Sequence, residues 1–368
     1  MKKDYFAKKY YLMLLLPAGV LLSYWAERSP YWVETIYSRR VFFAMNQILS
    51  RCTGHLPFSL AEMVVLLLGI IAVRVIGIFI VKMVTDKENR LKRVANFLAN
   101  TLIVISLIYF AFNLVWGFNY YRLPFATIAG LEVEPTSVVE LEGLCKSLID
   151  KANRQRTTTA ENNEGVMRLR DGRAHVFTSA GEGFSMAASI YPQLGGTYGQ
   201  AKGVRISEVM SYANITGIYF PFTGEANVNT TIPDYMLPST TCHELAHQRG
   251  FAREDEANYI AYLTCILHPH PDFQYSGTLL AVIYATNALY RHDPERAQLL
   301  TTEYGAGLQR DLAHRRLFWQ RYEGPLENIS REINDSYLKA NRQEDGVHSY
   351  GRMVDLLLAA YRKQNDGK

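Results

Sequence analysis

Residues 239–263 read Ser-Thr-Thr-Cys-His-Glu-Leu-Ala-His-Gln-Arg-Gly-Phe-Ala-Arg-Glu-Asp-Glu-Ala-Asn-Tyr-Ile-Ala-Tyr-Leu, and the spacing that could do chemistry is concentrated there. His243 and His247 lie four apart. On a helix they share a face, so two imidazoles can hold one metal ion. Glu244, next to the first histidine, is placed to take a proton from a water held at that ion. With 9 His and 22 Glu in 368 residues, the bare His-Glu-x-x-His pattern arises by chance about once in eighty such chains. Pro238 and the Ser239-Thr240-Thr241 run start a helix, and Gly250 ends it with a left-handed cap, so a short helix over 239–249 is expected. A second helix, 253–267, opens with Glu254, Asp255 and Glu256. Catalytic zinc takes three protein ligands and leaves a fourth position open. A carboxylate folded back from the second helix is the natural third. Three acids are available for one place, and the others complement the positive end of the helix dipole. Two histidines and one carboxylate favour Zn²⁺, one ion, over other divalent metals.

Glu256-Ala257-Asn258 resembles the Glu-Ala-Asp or Glu-Ala-Asn element of gluzincin-type zinc peptidases. The resemblance implies that Glu256 is the third metal ligand and that Asn258 supports it from behind. A longer likeness joins three apolar N-terminal spans, Tyr-Phe-Pro-Phe-Thr-Gly-Glu-Ala-Asn at 219–227, the run 243–258, and Gly-Val-His-Ser-Tyr-Gly at 346–351. Together they resemble an uncharacterised bacterial family of membrane-anchored zincin-like proteins, over most of the chain. That likeness implies a zincin-like fold and a metal site, and names no substrate.

Other segments bear on the same reading. Residues 218–229, interrupted by Pro221 and Gly224, read as edge-strand or hairpin material. Tyr219, Asn227 and Asn229 on it are candidates for aligning an extended peptide. Peptide hydrolysis needs a donor for the developing oxyanion. His348 and Tyr350 are candidates, with an ordinary helix cap as the competing explanation. His268 and His270 flank Pro269 and read as a surface turn. His55, His175, His292 and His314 have no partner in sequence, and Cys242 faces about 100° away from His243, toward a core. Gly195, Gly196 and Gly199 mark a loop without the Lys-Ser/Thr of a phosphate cradle.

The elements that must position these residues divide in two. Residues 1–124 carry a net charge of +9 and residues 125–368 a net charge of −5. No basic face is left on the larger part, which argues against nucleic acid as a partner. Three uncharged or nearly uncharged stretches, about 10–26, 60–81 and 97–118, read as transmembrane helices. Arg74 in the second is read as snorkelling. The N-terminal lysines and the basic 83–96 connection place those segments in the cytoplasm, and residues after about 122 outside it. Val41, Phe42, Met45, Ile48 and Leu49 recur at helical spacing in the first outer loop, as a helix on the membrane surface or one packed into a core.

The expected fold is mainly α: a membrane anchor over 1–124 and a mostly helical zincin-like domain over 125–368 with a small sheet or hairpin. Helices are expected at 239–249, 253–267, 275–291, 294–320, 325–341 and 348–362, with a capping box at Ser137–Glu140. The expected function is a multi-pass membrane zinc metallopeptidase, a hydrolase with a peptide or protein substrate and the lipid bilayer as its surroundings. The alternative is a non-proteolytic metal-binding sensor or scaffold. An intact Glu244 argues against it, because a structural site needs no base.

Overall fold

Hydrophobic patterning changes from all-round to one-sided along this chain, and the computed structural model follows that change. It describes residues 9–341, 343 and 346–366, with the side chains of Ser349, Tyr350 and Asp366 outside the description. Among the described residues the protein is mainly helical, with one two-stranded and one three-stranded sheet.

Helix α1 (Leu15–Glu27) follows a 3₁₀ segment, Lys9–Leu14. A π-helical stretch, Val33–Phe42, runs into α2 (Phe43–Gly54). Helices α3 (Leu60–Thr85) and α4 (Arg90–Val115) have 26 residues each and are long and apolar enough to cross a membrane. At 1.5 Å per residue each spans about 39 Å, more than the ~30 Å hydrocarbon core. Leucine, isoleucine and valine side chains of α3 are exposed around its whole circumference, Val65 to Leu68 and Ile70 to Val73 alike. Two such helices are present among the described residues, not the three expected from sequence. The segment 10–26 is divided between the 3₁₀ stretch that ends at Leu14 and an α-helix of 13 residues, with Pro17, which has no N–H to give, in the first turn of that helix. That short helix packs along α4.

The start of α3 is tied to the rest of the chain by an unusual cap. Ser59 Oγ accepts from Glu62 N (2.9 Å), and the Glu225 carboxylate accepts from Leu60 N (3.0 Å) and Ala61 N (2.7 Å). Glu62 in turn accepts from the backbone of Arg205 and Ile206. These bonds satisfy N–H groups that a helix start leaves orphaned. They also fix the membrane-type helices against the globular part.

The globular part is built on α5 (Val138–Arg156). Ser137 caps it as expected, accepting from Glu140 N at 3.2 Å, while the Glu140 carboxylate binds Arg362 instead of closing a capping box. A three-stranded sheet follows, from β1 (Lys202–Val204), β2 (Gly217–Phe220) and β3 (Glu225–Asn229). Strand β3 is central, parallel to β1 and antiparallel to β2, with Tyr219 opposite Ala226. Thus β2 is an edge strand. The longer helices that complete the fold are α6 (Leu237–Gln248), α7 (Glu254–Leu267), α8 (Pro271–His292), α9 (Ala306–Gln320), α10 (Pro325–Ala340) and α11 (Met353–Asp366). Helices α5 to α8 and α11 share one core that includes Leu148, Val228, Leu245, Ile260, Val282 and Leu357.

A second, smaller core joins the N-terminal third to the site. Phe42, Tyr37, Trp116, Phe118 and Tyr120 pack with Tyr219 and Ala252. Of the apolar stripe around it, Phe42 is buried and Met45 packs against this core, while Val41 and Ile48 are exposed. Beneath it the Arg122 guanidinium donates to both oxygens of Glu34 (2.8 and 3.0 Å) and to the Gly250 carbonyl (2.9 Å). Both side chains are buried. Arg122→Ala should destabilise the fold by about 3–5 kcal/mol, since it strands a buried carboxylate. Denaturant unfolding in detergent checks this, and a double Arg122→Met, Glu34→Gln variant should recover most of the loss.

Candidate metal centre

Helix α6 ends in a Schellman turn. Gly250 N donates to the His247 carbonyl (2.8 Å) and Phe251 N to the Ala246 carbonyl (3.2 Å), with Gly250 at φ +83°. A Cβ there would also sit 2.9 Å from the Phe42 ring, so glycine is required twice over. The turn does more than reverse the chain. It presents the Phe251 carbonyl to His247 Nδ1 at 2.7 Å. That bond fixes the proton on Nδ1 and leaves Nε2 as a free ligand, the usual arrangement behind a metal-binding imidazole.

His247 Nε2 lies 3.0 Å from His243 Nε2. Glu254 Oε2 is 3.1 Å from the first histidine's Nε2 and 3.4 Å from that of His247. The edges of a tetrahedron with ~2.0–2.1 Å metal–nitrogen bonds are about 3.3 Å long, so these three atoms outline one face of such a site. Glu254 Oε2 is buried and has no hydrogen-bond donor. A buried carboxylate oxygen facing two imidazole nitrogens fits a cation between them. Burial disfavours a charged His247, but the Glu254 carboxylate outweighs it and holds His247 up at about 9. Burial likewise disfavours the Glu254 anion, and the two histidines overcome it and hold that carboxyl well below its usual range. A proton and a metal ion would therefore compete for the same cluster.

The acid that the fold brings to the two histidines is Glu254, where the family likeness pointed to Glu256. Residues 251–253 have no regular secondary structure, Arg253 is extended, and α7 begins at Glu254, which faces back toward α6. Glu256 is two residues on, about 200° around the helix. Its carboxylate instead accepts from Phe125 N at 2.8 Å and pairs with Arg253 at 3.3 Å. Burial pushes it up to about 7 against the pull of Arg253. Asn258, one turn after Glu254, donates to the Tyr284 hydroxyl at 3.3 Å and lines the same cleft.

Glu244 is fully enclosed beside the histidines. It accepts from the backbone N–H of Tyr219, and its Oε2 has no hydrogen-bond donor. Burial, only partly countered by His243 and His247, raises its carboxyl to about 7. The side chain fits because residue 217 is glycine: a Cβ there would come within 2.5 Å of Glu244 Oε1. Sequence reasoning did not single out Gly217, whose one signal is a glycine opening a strand.

Of the strand residues expected to align a peptide, Tyr219 borders the cleft. Its hydroxyl donates to Asn46 Oδ1 (2.9 Å). Asn227 and Asn229 sit buried on the central strand and are engaged within the fold. Asn227 bonds Ser59 and the Ile218 carbonyl, and Asn229 bonds Ser211 and the Ile215 carbonyl. His348 is exposed and lines a different cavity, with Arg291, His292 and Asp355. The Tyr350 side chain lies outside the described residues.

Three tyrosine hydroxyls lie along the same cleft. Tyr120, Tyr284 and Tyr337 line the cleft and feel the Glu254 charge. Burial first, then that carboxylate, pushes Tyr284 up to about 12. Tyr284 stays protonated and able to donate. Tyr337 accepts from Tyr120 (3.0 Å), which leaves its own O–H to give.

The cleft holding these groups has a volume of about 980 Å³. Trp116, which follows the last residue of α4, stands edge-on to His247 with ring centres 6.1 Å apart. The cluster is therefore one aromatic ring away from the end of a membrane-type helix. The contact is long-range in sequence, as is the Arg122–Gly250 bond beside it, which joins residues 128 apart.

A second cluster, Asp171, His175 and His270, could also hold an ion by proximity. Two of its three groups are bonded to each other. His270 Nδ1 accepts the N–H of Asp272 as the cap of α8, so Nε2 carries the proton and donates it to Asp171 (3.0 Å). His268, stacked on Phe273, and His270 lie in a turn as expected, but His268 is buried and not at the surface.

The sequence profile of a protein family of unknown function, DUF3810, matches residues 37–358, and the chain belongs to that family. The matched region includes α3, α4 and the whole histidine–glutamate cluster. No curated protein and no solved structure matches the chain.

Proposed function

We propose that this chain is a membrane-anchored, zinc-dependent peptidase of the zincin-like type, with His243, His247 and Glu254 holding the ion and Glu244 as general base. The observation that carries the reading is the convergence of two imidazole Nε2 atoms and a buried carboxylate oxygen beside a second buried carboxylate. A structural metal site has no use for that second carboxylate. The bound zinc would supply a Lewis acid that acidifies a water and polarises a carbonyl.

The remaining chemistry falls to the chain. Glu244, with its carboxyl near 7, can accept a proton close to neutral pH and return it to a leaving amine. Tyr284 and Tyr337 can donate to the oxygen that becomes negative. Edge strand β2 borders the cleft through Ile218, Tyr219 and Phe220, a suitable rail for an extended peptide. The cleft volume lies in the range of ligand sites.

The test is cleavage of a peptide library by the purified full-length chain in detergent. Cleavage should stop on chelation and return with added zinc. A zinc-loaded chain that cleaves no member of the library would contradict the reading.

Orientation follows from loop charge. Helix α3 begins on the globular part and α4 ends on it, so both ends lie on one face of the bilayer. A reporter active only outside the cytoplasm should work after residue 122 and fail near Asn89. The reverse pattern would place the metal cluster in the cytoplasm.

A further inference from the structure

Helix α10 carries an apolar stripe that nothing among the described residues covers. Leu326, Ile329, Ile333 and Tyr337 fall within about a quarter of the helix circumference. They are 47%, 53%, 65% and 40% exposed. Asn328, Glu332, Asp335 and Lys339 occupy the opposite side, and Leu338 is the helix's buried residue. A contiguous exposed patch of this kind marks an interaction surface.

Its location says with what. Tyr337 stands 6.3 Å, ring centre to ring centre, from Phe112 in the last turn of α4. Ile333 and Tyr337 also line the metal cleft, together with Phe112 and Trp116. Across the cleft, Ile218 and Phe222 are exposed on the β2–β3 hairpin, whose Glu225 caps the start of α3. The stripe is therefore continuous with the apolar surface of α4, at the level where α3 begins and α4 ends. Glu327, Arg331, Glu332, Asp335 and Lys339 give the helix a formal charge of −1. Attachment would come from apolar contact and not from attraction to anionic headgroups.

We infer that α10 lies in the lipid headgroup interface of the leaflet where α3 begins and α4 ends, so that the metal cleft opens onto the bilayer surface. The matching substrate is the segment of a membrane-anchored polypeptide just outside the membrane. The substrate half rests on the peptidase reading, whereas the position of α10 does not.

The experiment uses the full chain with exposed Cys52 replaced by serine, reconstituted in neutral phosphatidylcholine vesicles. Nitroxide labels go singly at 326, 329, 328 and 332. Collision with oxygen reports lipid, and collision with a water-soluble nickel chelate reports solvent. An apolar face seated about 5–10 Å into the headgroup–acyl boundary should give a severalfold higher oxygen-to-nickel ratio at 326 and 329 than at 328 and 332. Equal nickel access at all four positions would overturn the inference. So would spin–spin broadening between labels at 329, which would mean that a second copy covers the face.

A second arm compares one cleavable peptide, free and lipid-anchored. Ile329→Glu should slow cleavage of the anchored form severalfold and leave the free form unchanged. Equal effects on both forms would overturn the substrate assignment. If the labels report lipid and no peptide is cut, the peptidase reading fails and the interfacial helix stands.

Discussion

Glu244→Gln should leave the zinc bound and the fold intact while hydrolysis falls by ~10²–10⁴-fold, the usual contribution of a positioned general base. Glu244 is not among the three atoms that outline the metal face. The amide is nearly the same size as the carboxylate and can still accept the Tyr219 N–H. It cannot take a proton near neutral pH. The comparison needs zinc stoichiometry, melting temperature and peptide turnover on one preparation. His243→Ala is the control that should lose metal, activity and some stability together, because metal binding is coupled to folding. A Glu244→Gln chain with full turnover would remove the base from the mechanism and with it the peptidase.

The two nearby glutamates should separate just as sharply. Glu254→Gln should weaken zinc binding by more than ~100-fold, beyond the 10–100-fold typical of residues that merely orient a ligand. Glu256→Gln should keep stoichiometric zinc, because Glu256 faces Phe125 N and Arg253. Its carboxyl, already raised to about 7 by burial, makes the neutral amide a mild change. Competitive titration with a metal-sensitive dye measures both. Loss of zinc in Glu256→Gln alone would mean that α7 turns by two residues when the ion binds.

How much of this could be read from sequence depends on how local each feature is. The α6 helix, its Gly250 stop and the second helix after it were legible because helix starts, caps and i,i+4 faces are set by neighbours in the chain. The choice between Glu254 and Glu256 was not. It hangs on the rotation with which the irregular residues 251–253 hand the chain to α7, and the family likeness pointed to Glu256, which the fold places away from the histidines. Tyr120, Tyr284 and Tyr337 come from three distant segments and carry no periodic signal at all. Asn227 and Asn229 looked like peptide-facing residues because they are polar and sit on a strand. In the fold they satisfy buried backbone and hydroxyl groups on neighbouring segments. The two long apolar helices were plain from composition. The first N-terminal stretch has similar composition, but it is divided between a 3₁₀ segment and a short α-helix.

The central claim is that His243, His247 and Glu254 hold one zinc ion. Zinc-edge X-ray absorption on the purified full-length chain tests it most directly. The account predicts one zinc per chain, bound only by nitrogen and oxygen at about 2.0–2.1 Å with scattering from two imidazoles. Sulfur at about 2.3 Å, or a chain that takes up no stoichiometric zinc, would contradict it.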